Sequence, residues 1–241
     1  MVAACRASTI FTMRDAVPSE VVGRGPGADA VASVRPRLRG VSHAVAAVVF
    51  PALGLILVLL VPASSRVPVA IYTAGVTAMY ATSACYHRGR WSVSAQQRMR
   101  RLDHSMILIG IAATYTPIAA IGLDGSTAGA LLVAVWGLAA GGIVIRNVWL
   151  GAPRWVVPGV YIGVGWTALA VIPALWSQLG GVTFALLLVG GLVYSLGALV
   201  YGRRRPDPVP AVFGYHEVFH ALVLLAGLIF YAAVARVAIT A

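Results

Sequence analysis

The sequence contains no lysine and few acidic residues, and this shortage limits the class of protein it can encode. Among 241 residues there are seven Asp or Glu side chains, and charged residues of all kinds make up 10% of the chain. A soluble domain usually has about 25% charged residues. The two cysteines, Cys5 and Cys85, are too few for a scaffold held together by disulfides. Ordinary soluble domains and disulfide-rich secreted domains are therefore excluded.

Long apolar runs take the place of the missing charge. Hydrophobic residues make up 60% of the chain, and they occur in continuous runs of about 20 residues, the length a helix needs to cross a bilayer. Membrane strands would show alternation instead. The pattern predicts an all-α polytopic membrane protein, a bundle of seven transmembrane helices. The predicted spans are residues 42–61, 67–87, 103–122, 127–146, 155–174, 179–201 and 215–238.

The net charge of +11 would suit a nucleic-acid-binding protein, but the distribution of arginine does not. With the predicted spans, 16 of the 18 arginines lie on one side of the membrane, leaving Arg66 and Arg236 on the other. Because positive residues stay in the cytoplasm, the amino terminus is predicted to be cytoplasmic and the carboxyl terminus external. Residues 1–39 have no long apolar run and are expected to form a disordered cytoplasmic tail. Residues 40–241 are expected to form the seven-helix domain, multi-pass in the cell membrane.

Most polar residues of the spans fall at one depth. An ionisable group inside a membrane costs free energy, so its presence there usually indicates a functional or structural role. All eight residues in this layer lie at predicted cytoplasmic helix ends: His43, Ser83, His87, Asp103, His104, His216, Glu217 and His220.

The spacing of these residues predicts a metal site. In FGYHEVFH, residues 213–220, His216 and His220 are four apart and so share a helical face. With His87 they would supply three imidazoles for Zn²⁺ and leave a fourth position open to water, as in catalytic zinc sites. Asp103 could accept the proton released by that water, and Ser83 could hydrogen-bond it or polarise a carbonyl. The alternative is that these histidines cap helices or contact lipid headgroups.

The same stretch contains H-E-x-x-H, the motif of zinc peptidases. Those enzymes need a further ligand after the motif, and no carboxylate follows it here. The match is therefore interpreted as a coincidence of spacing, and Glu217 as a surface carboxylate paired with a loop arginine.

Three sequence blocks in this order resemble one family. SACYHRGRW, RRLDHSMILIGIAATYTP and GGLVYSLGALVYGRRRPDPVPAVFGYHEVFHALVLLAG are similar to the hemolysin III family, relatives of the progestin and adiponectin receptors and, more distantly, of alkaline ceramidases. The resemblance covers roughly residues 40–238. It implies zinc ligands at His87, His216 and His220, with Ser83 and Asp103 beside the metal-bound water. The segment RPRLRGVSH lacks the acidic residue that the family often carries there, which leaves the role of His43 open.

Three functions follow as hypotheses. The superfamily implies a zinc-dependent hydrolase that acts on amide bonds of membrane lipids, with a ceramide-like substrate. The family name implies a cytolytic, pore-forming hemolysin. A seven-span sensor with structural zinc is the third hypothesis, since kinship of fold does not decide function. The oligomeric state stays open, although the pairs Gly137/Gly141 and Gly159/Gly163 have the G-x-x-x-G spacing that lets helices approach closely.

Overall fold

A computed structural model describes residues 36–149 and 156–240. Almost all of the predicted tail therefore lies outside the described residues. The described part is helical and contains no β-strand, apart from a single bridge between Val209 and Phe213. The prediction of an all-helical protein is confirmed for this part of the chain.

Seven α-helices and one 3-10 helix follow one another along the described residues. Their bounds are α1 Val41–Leu60, α2 Ala63–Arg88, α3 Val93–Gly122, α4 Gly125–Val148, α5 Val156–Gly165, the 3-10 helix Trp166–Val171, α6 Ile172–Arg203 and α7 Tyr215–Thr240.

Five helical segments are long and apolar enough to cross a membrane, judged by length and composition: α1, α3, α4, α7 and the stretch Pro158–Arg203. That stretch contains two of the predicted spans. Helix α2 is not among them, and its buried residues include several polar ones, among them Ser65, Thr82, Ser83 and His87. The count of seven spans and the orientation of the termini therefore remain predictions.

The stretch from α5 to α6 is not one regular helix. Gly180 has φ 73° and ψ 164°, so α6 consists of two helices that meet at a kink, close to the predicted start of a span at residue 179. The 3-10 segment before it is supported by a side chain of α3. The Tyr115 hydroxyl donates to the Gly165 carbonyl oxygen at 2.6 Å and accepts from the Ala168 backbone N–H at 3.0 Å. These bonds satisfy backbone N–H and C=O groups that lose their helical partners where the α-helix changes to a 3-10 helix.

The turn between α3 and α4 is tied to α6. Asp124 caps α4, and its pKa is lowered to about 2, first because its carboxylate accepts from the Thr127 backbone N–H and then because it accepts from Gln178. A lowered pKa means that this contribution to stability is present above the ordinary Asp pKa and is lost as the pH falls through about 2. The capping turn therefore stays charged at physiological pH.

The packed interior runs between α1, α2, α3 and α7. Phe50, Tyr72, Tyr80 and Val234 are almost fully buried there, and a smaller cluster joins α3, α4 and α5. Large apolar side chains also cover the outside of the bundle: Val133 is 76% exposed and Val48 is 64% exposed. An apolar exterior over an apolar interior is what lipid-facing helices require.

Polar residues gather at one end of the bundle, which we call the site end. The first turns of α1 and α7, the last turns of α2, α4 and α6, and the amino-terminal half of α3 meet there. The predicted close approach at the glycine pairs is not found within the described residues. A Cβ atom added to Gly137, Gly141, Gly159 or Gly163 would meet nothing within 4 Å.

Gly227 of α7 is a glycine that the packing does require. A Cβ there would run into the hydroxyl oxygen of Tyr80, whose ring packs 5.0 Å from His43 and 4.9 Å from Phe50. We expect Gly227→Ala to lower stability by about 1–3 kcal/mol through overpacking, which shifts Tm by about 2–4 °C for each kcal/mol. Thermal unfolding in detergent measures this. Gly137→Ala is the matched control and should not lower Tm; equal Tm values for both variants would contradict the packing argument.

Candidate metal centre

Three histidines form a cluster at the site end. Ring nitrogens of His87, His216 and His220 all lie within 4.8 Å of one another, and their ring centroids are 4.6–4.9 Å apart. His87 comes from the end of α2, whereas the other two come from successive turns at the start of α7. The cluster predicted from spacing is thus assembled by the fold, and it could hold a metal ion.

The chemistry of the cluster fits a cation. Nε2 of His87 and Nε2 of His216 face each other at 3.2 Å, a close approach for two basic nitrogens. Nδ1 of His220 is buried and has no hydrogen-bond partner among the described residues. A buried nitrogen without a partner costs free energy, and a metal ion bound through this nitrogen would remove that cost. Three imidazoles that converge on one point suit zinc, which is usually four-coordinate, and leave one coordination position free.

Asp103 and Ser83 border the histidine cluster, as the sequence predicted for its neighbours. Oδ2 of Asp103 lies 3.9 Å from Nε2 of His87, and the carboxylate also interacts with the hydroxyl of Ser83. Both side chains are buried. A buried carboxylate between a histidine and a hydroxyl is well placed to hold or transfer a proton.

His43, whose role the sequence left open, packs directly on the cluster. Its ring is stacked on His220, with centroids 3.9 Å apart and an interplanar angle of 3°. Its Nδ1 is 2.8 Å from the Ser83 hydroxyl oxygen. His43 therefore links α1 to both α2 and α7, and it orients a proposed ligand and a proposed polar neighbour at the same time.

The segment before α1 covers the cluster. Gly40 has φ 73°, a conformation that favours glycine, and a Cβ on it would lie 2.6 Å from Cβ of His87. The same segment pairs with the loop before α7: the backbone N–H groups of Arg37 and Leu38 donate to the carbonyl oxygens of Ala211 and Val212. Residues 36–40 and the α6–α7 loop thus form one layer over the site end.

Glu217 lies beneath this layer. Its side chain is 3% exposed and forms an ion pair with Nε of Arg39 at 2.5 Å, and its Oε2 accepts from the Gly214 backbone N–H at 2.9 Å. The interpretation as a surface carboxylate is therefore wrong, whereas the expectation of an arginine partner is confirmed. A carboxylate held in this way caps α7 and fixes the first turn, which carries His216.

A cavity of about 180 Å³ opens from the cluster into the bundle. His43, Ser83, Asp103, His216 and His220 line one end of it. The remaining wall comes mainly from α3, α5 and α6, and most of its side chains are apolar. One polar pair in it is internally bonded, since Nε1 of Trp166 donates to Ser195 at 2.9 Å.

His104 belongs to the polar layer but not to the histidine cluster. It lines the cavity, and its Nδ1 accepts from Arg146 of α4. The contact between His104 and Arg146 was not predicted from the sequence, and neither was the burial of Glu217. One signal was available for that burial: Glu217 lies at the depth of the histidines, where a carboxylate needs a compensating cation.

Comparison with known proteins gives one consistent result. A family described as haemolysin-III related matches residues 31–231. A hemolysin-3 homolog of Bacillus subtilis (strain 168) is 36% identical over 123 residues, which cover 51% of this chain and 55% of that protein. Hemolysin-3 of Bacillus cereus is 32% identical over 163 residues, covering 67% of this chain and 71% of that protein. The match thus spans little more than half the length of the first relative.

The histidine cluster predicts that metal content depends on each of the three rings. We expect purified protein to carry about one metal ion per chain, because three imidazoles suffice for an open four-coordinate site. His220→Ala should lower that content at least about tenfold. Elemental mass spectrometry measures it. His104→Ala removes a histidine of the same layer that lies outside the cluster and should keep the metal; equal loss in both variants would contradict the assignment.

The ion pair beneath the covering layer predicts a stability difference between two neighbouring arginines. Arg39→Ala leaves Glu217 buried and unpaired, which should cost about 2 kcal/mol; this is below the usual range for buried pairs because 20% of the Arg39 side chain is exposed. Arg37→Ala removes an exposed side chain and leaves its backbone bond to Ala211 intact. Thermal unfolding should therefore separate the two variants, and indistinguishable melting temperatures would reject a structural role for the pair.

Proposed function

The chain belongs to the haemolysin-III related family, and from that premise we propose that it is an integral membrane hydrolase that uses zinc to cleave amide bonds of lipids. The observation that carries the proposal is the continuity of the cavity with the histidine cluster. One wall of this cavity follows α3 from Asp103 to Ile118, about 22 Å at the ~1.5 Å rise of a helix. That is about two-thirds of the ~30 Å hydrocarbon thickness of a bilayer.

His87, His216 and His220 would hold the zinc ion. When bound, zinc supplies Lewis-acid polarisation of a carbonyl group and activation of water near neutral pH. His216 and His220 of the cluster line the same end of the cavity as the buried Asp103 carboxylate, so a carbonyl carbon brought to that end would lie near the zinc ion and Asp103.

The protein's own residues would handle the protons. Asp103 would accept a proton from the attacking water and deliver it to the leaving nitrogen as the carbon–nitrogen bond breaks. The Ser83 hydroxyl lies 2.8 Å from Nδ1 of His43 and also interacts with Asp103. Once Asp103 has accepted the proton, Ser83 would donate its hydrogen bond to the carbonyl oxygen as negative charge develops there. The stacking of His43 on His220 would keep both residues aligned during the reaction.

The apolar wall of the cavity would bind the acyl chain. A lipid substrate such as a ceramide-like amide would lie with its chain along α3 and α6 and with its polar group at the site end. We further propose that the site end faces the cytoplasm at the cell membrane. Of the 13 arginines in the described residues, only Arg66 and Arg236 belong to the opposite helix ends, which fits the rule that positive residues stay inside.

A second candidate comes from the relatives. The Bacillus cereus protein carries the name hemolysin-3, which favours cytolysis for that protein and makes it a candidate here. A pore needs a polar path across the membrane, whereas the cavity described above is apolar along most of its wall. This difference favours the hydrolase.

The proposal predicts release of free fatty acid from an acyl-amide lipid. Zinc-loaded wild-type protein in detergent should convert N-acyl sphingosine or a simple N-acyl amine, measured by mass spectrometry of the fatty acid. Asp103→Asn should lower the rate by about 10²–10⁴-fold, the usual contribution of a general acid or base. Asp124→Asn makes the same change at the opposite end of the bundle, where Asn caps a helix as well as Asp, and should keep the wild-type rate.

Two outcomes would count against the hydrolase. Absence of turnover by zinc-loaded wild-type protein across a panel of acyl-amide lipids would reject it. Dye release from liposomes that persists in Asp103→Asn protein would favour cytolysis, since membrane damage by a pore does not need a proton-transfer group.

A further inference from the structure

The contact between His104 and Arg146 determines which ring nitrogen of His104 carries a proton. Nε and Nη2 of Arg146 lie 3.1 Å and 3.0 Å from Nδ1 of His104. A guanidinium group can only donate hydrogen bonds, so Nδ1 must be the acceptor. The proton of the neutral ring is then on Nε2, and His104 is a hydrogen-bond donor at that atom.

The residue that carries this donor belongs to the cavity wall. His104 lines the cavity directly after Asp103 in the chain, and no described residue accepts a hydrogen bond from its Nε2. The ring is also held from the backbone side, because the Tyr161 hydroxyl donates to the His104 carbonyl oxygen at 3.1 Å. The cavity wall therefore includes a fixed donor for which the described part of the chain offers no acceptor.

The positive charge of Arg146 lies next to the ring that carries this donor. Arg146 is half-buried, and no carboxylate of the described residues lies within ion-pair distance of it; Asp103 and Glu217 have His87 and Arg39 as their partners. Arg100 lies near enough for its charge to act on both His104 and Tyr201 of the cavity wall. The remaining wall is apolar. The cavity thus combines an apolar space with one corner beside Asp103 that carries a hydrogen-bond donor with positive charge next to it.

We propose that the His104–Arg146 pair binds the anionic headgroup of a single-chain acyl lipid whose chain occupies the cavity. An anionic oxygen accepts hydrogen bonds and cannot donate them, so it matches the donor on Nε2 and the charge behind it. Carboxylate and phosphate share this chemistry. The claim that this ligand is a substrate rests on the proposed function, whereas the claim that it binds does not. Because His104 adjoins Asp103, the favoured substrates are amides with a carboxylate on the amine side, such as N-acyl amino acids.

The experiment compares two ligands that differ in one group. N-oleoylglycine and N-oleoylethanolamine share the acyl amide, but the first ends in a carboxylate and the second in a hydroxyl. Binding of each to full-length protein in neutral detergent is measured by equilibrium dialysis. Wild-type protein should prefer the carboxylate about tenfold, the size expected for one charge-assisted hydrogen bond, and Arg146→Gln should bring the ratio close to one.

A second variant and a matched control keep the test decisive. His104→Phe keeps a ring but removes the donor, and it should also lose the preference, while binding of the neutral amide reports that each variant is folded. Arg90→Gln removes the same charge from an exposed residue at the site end and should keep the preference. A parallel pair, oleoyl lysophosphatidate against monooleoylglycerol, distinguishes phosphate from carboxylate, and a preference in either pair supports the subsite.

Three results would overturn the subsite: no preference for either anionic lipid in wild-type protein, an unchanged preference in both folded variants, or an equal loss in Arg90→Gln. The measurement requires no turnover, so it is separate from the test of the hydrolase. A preference for the anionic amide without any hydrolysis would support the subsite and reject the proposed function. Hydrolysis of the neutral amide, together with equal binding of the anionic and neutral lipids, would support the proposed function and reject the subsite.

Discussion

The burial of ionisable side chains at one end of an apolar bundle is the constraint on which the site depends. A polar group taken out of water costs free energy unless a partner replaces the water. Glu217 has Arg39 and the Gly214 backbone as partners, and Asp103 has His87 and Ser83. The contacts of Asp103 join α3 to α2, and the ion pair of Glu217 joins α7 to the segment before α1, so the polar layer helps to determine how these helix ends meet.

Two ring nitrogens are exceptions to this pairing. Nε2 of His43 and Nδ1 of His220 are buried without hydrogen-bond partners among the described residues, although the two rings stack on each other. A fold selected only for stability would fill such positions with apolar side chains of similar volume. Unmatched donors and acceptors beside a cavity are typical of sites built for a ligand or a reaction, and both atoms belong to the proposed metal centre or its immediate neighbour.

The covering layer and the cavity both border the histidine cluster. Residues 36–40 and the α6–α7 loop cover the cluster, and Gly40 lies so close to His87 that no side chain fits between them. The cavity extends from the cluster along α3 and α6 and has a mainly apolar wall. An apolar wall suits a lipid ligand better than a polar one. The contact between His104 and Arg146 is the basis of the proposed selectivity for negative charge next to the proposed reacting group.

The sequence by itself determined the helical class, the grouping of polar residues at one depth and the two i, i+4 pairs, Ser83 with His87 and His216 with His220. These features are local: apolar length and helical period specify them without reference to the neighbouring helices. Only the tertiary structure decided that His43 stacks on His220, that Arg39 reaches Glu217 and that Arg146 holds His104. The physical reason is that lipid-facing and core-facing apolar residues look alike in a sequence, so it does not reveal which helices adjoin or how each is rotated. The glycine pairs of α4 and α5 illustrate the same limit, since their spacing is that of a packing motif but their faces contact no helix of the described chain.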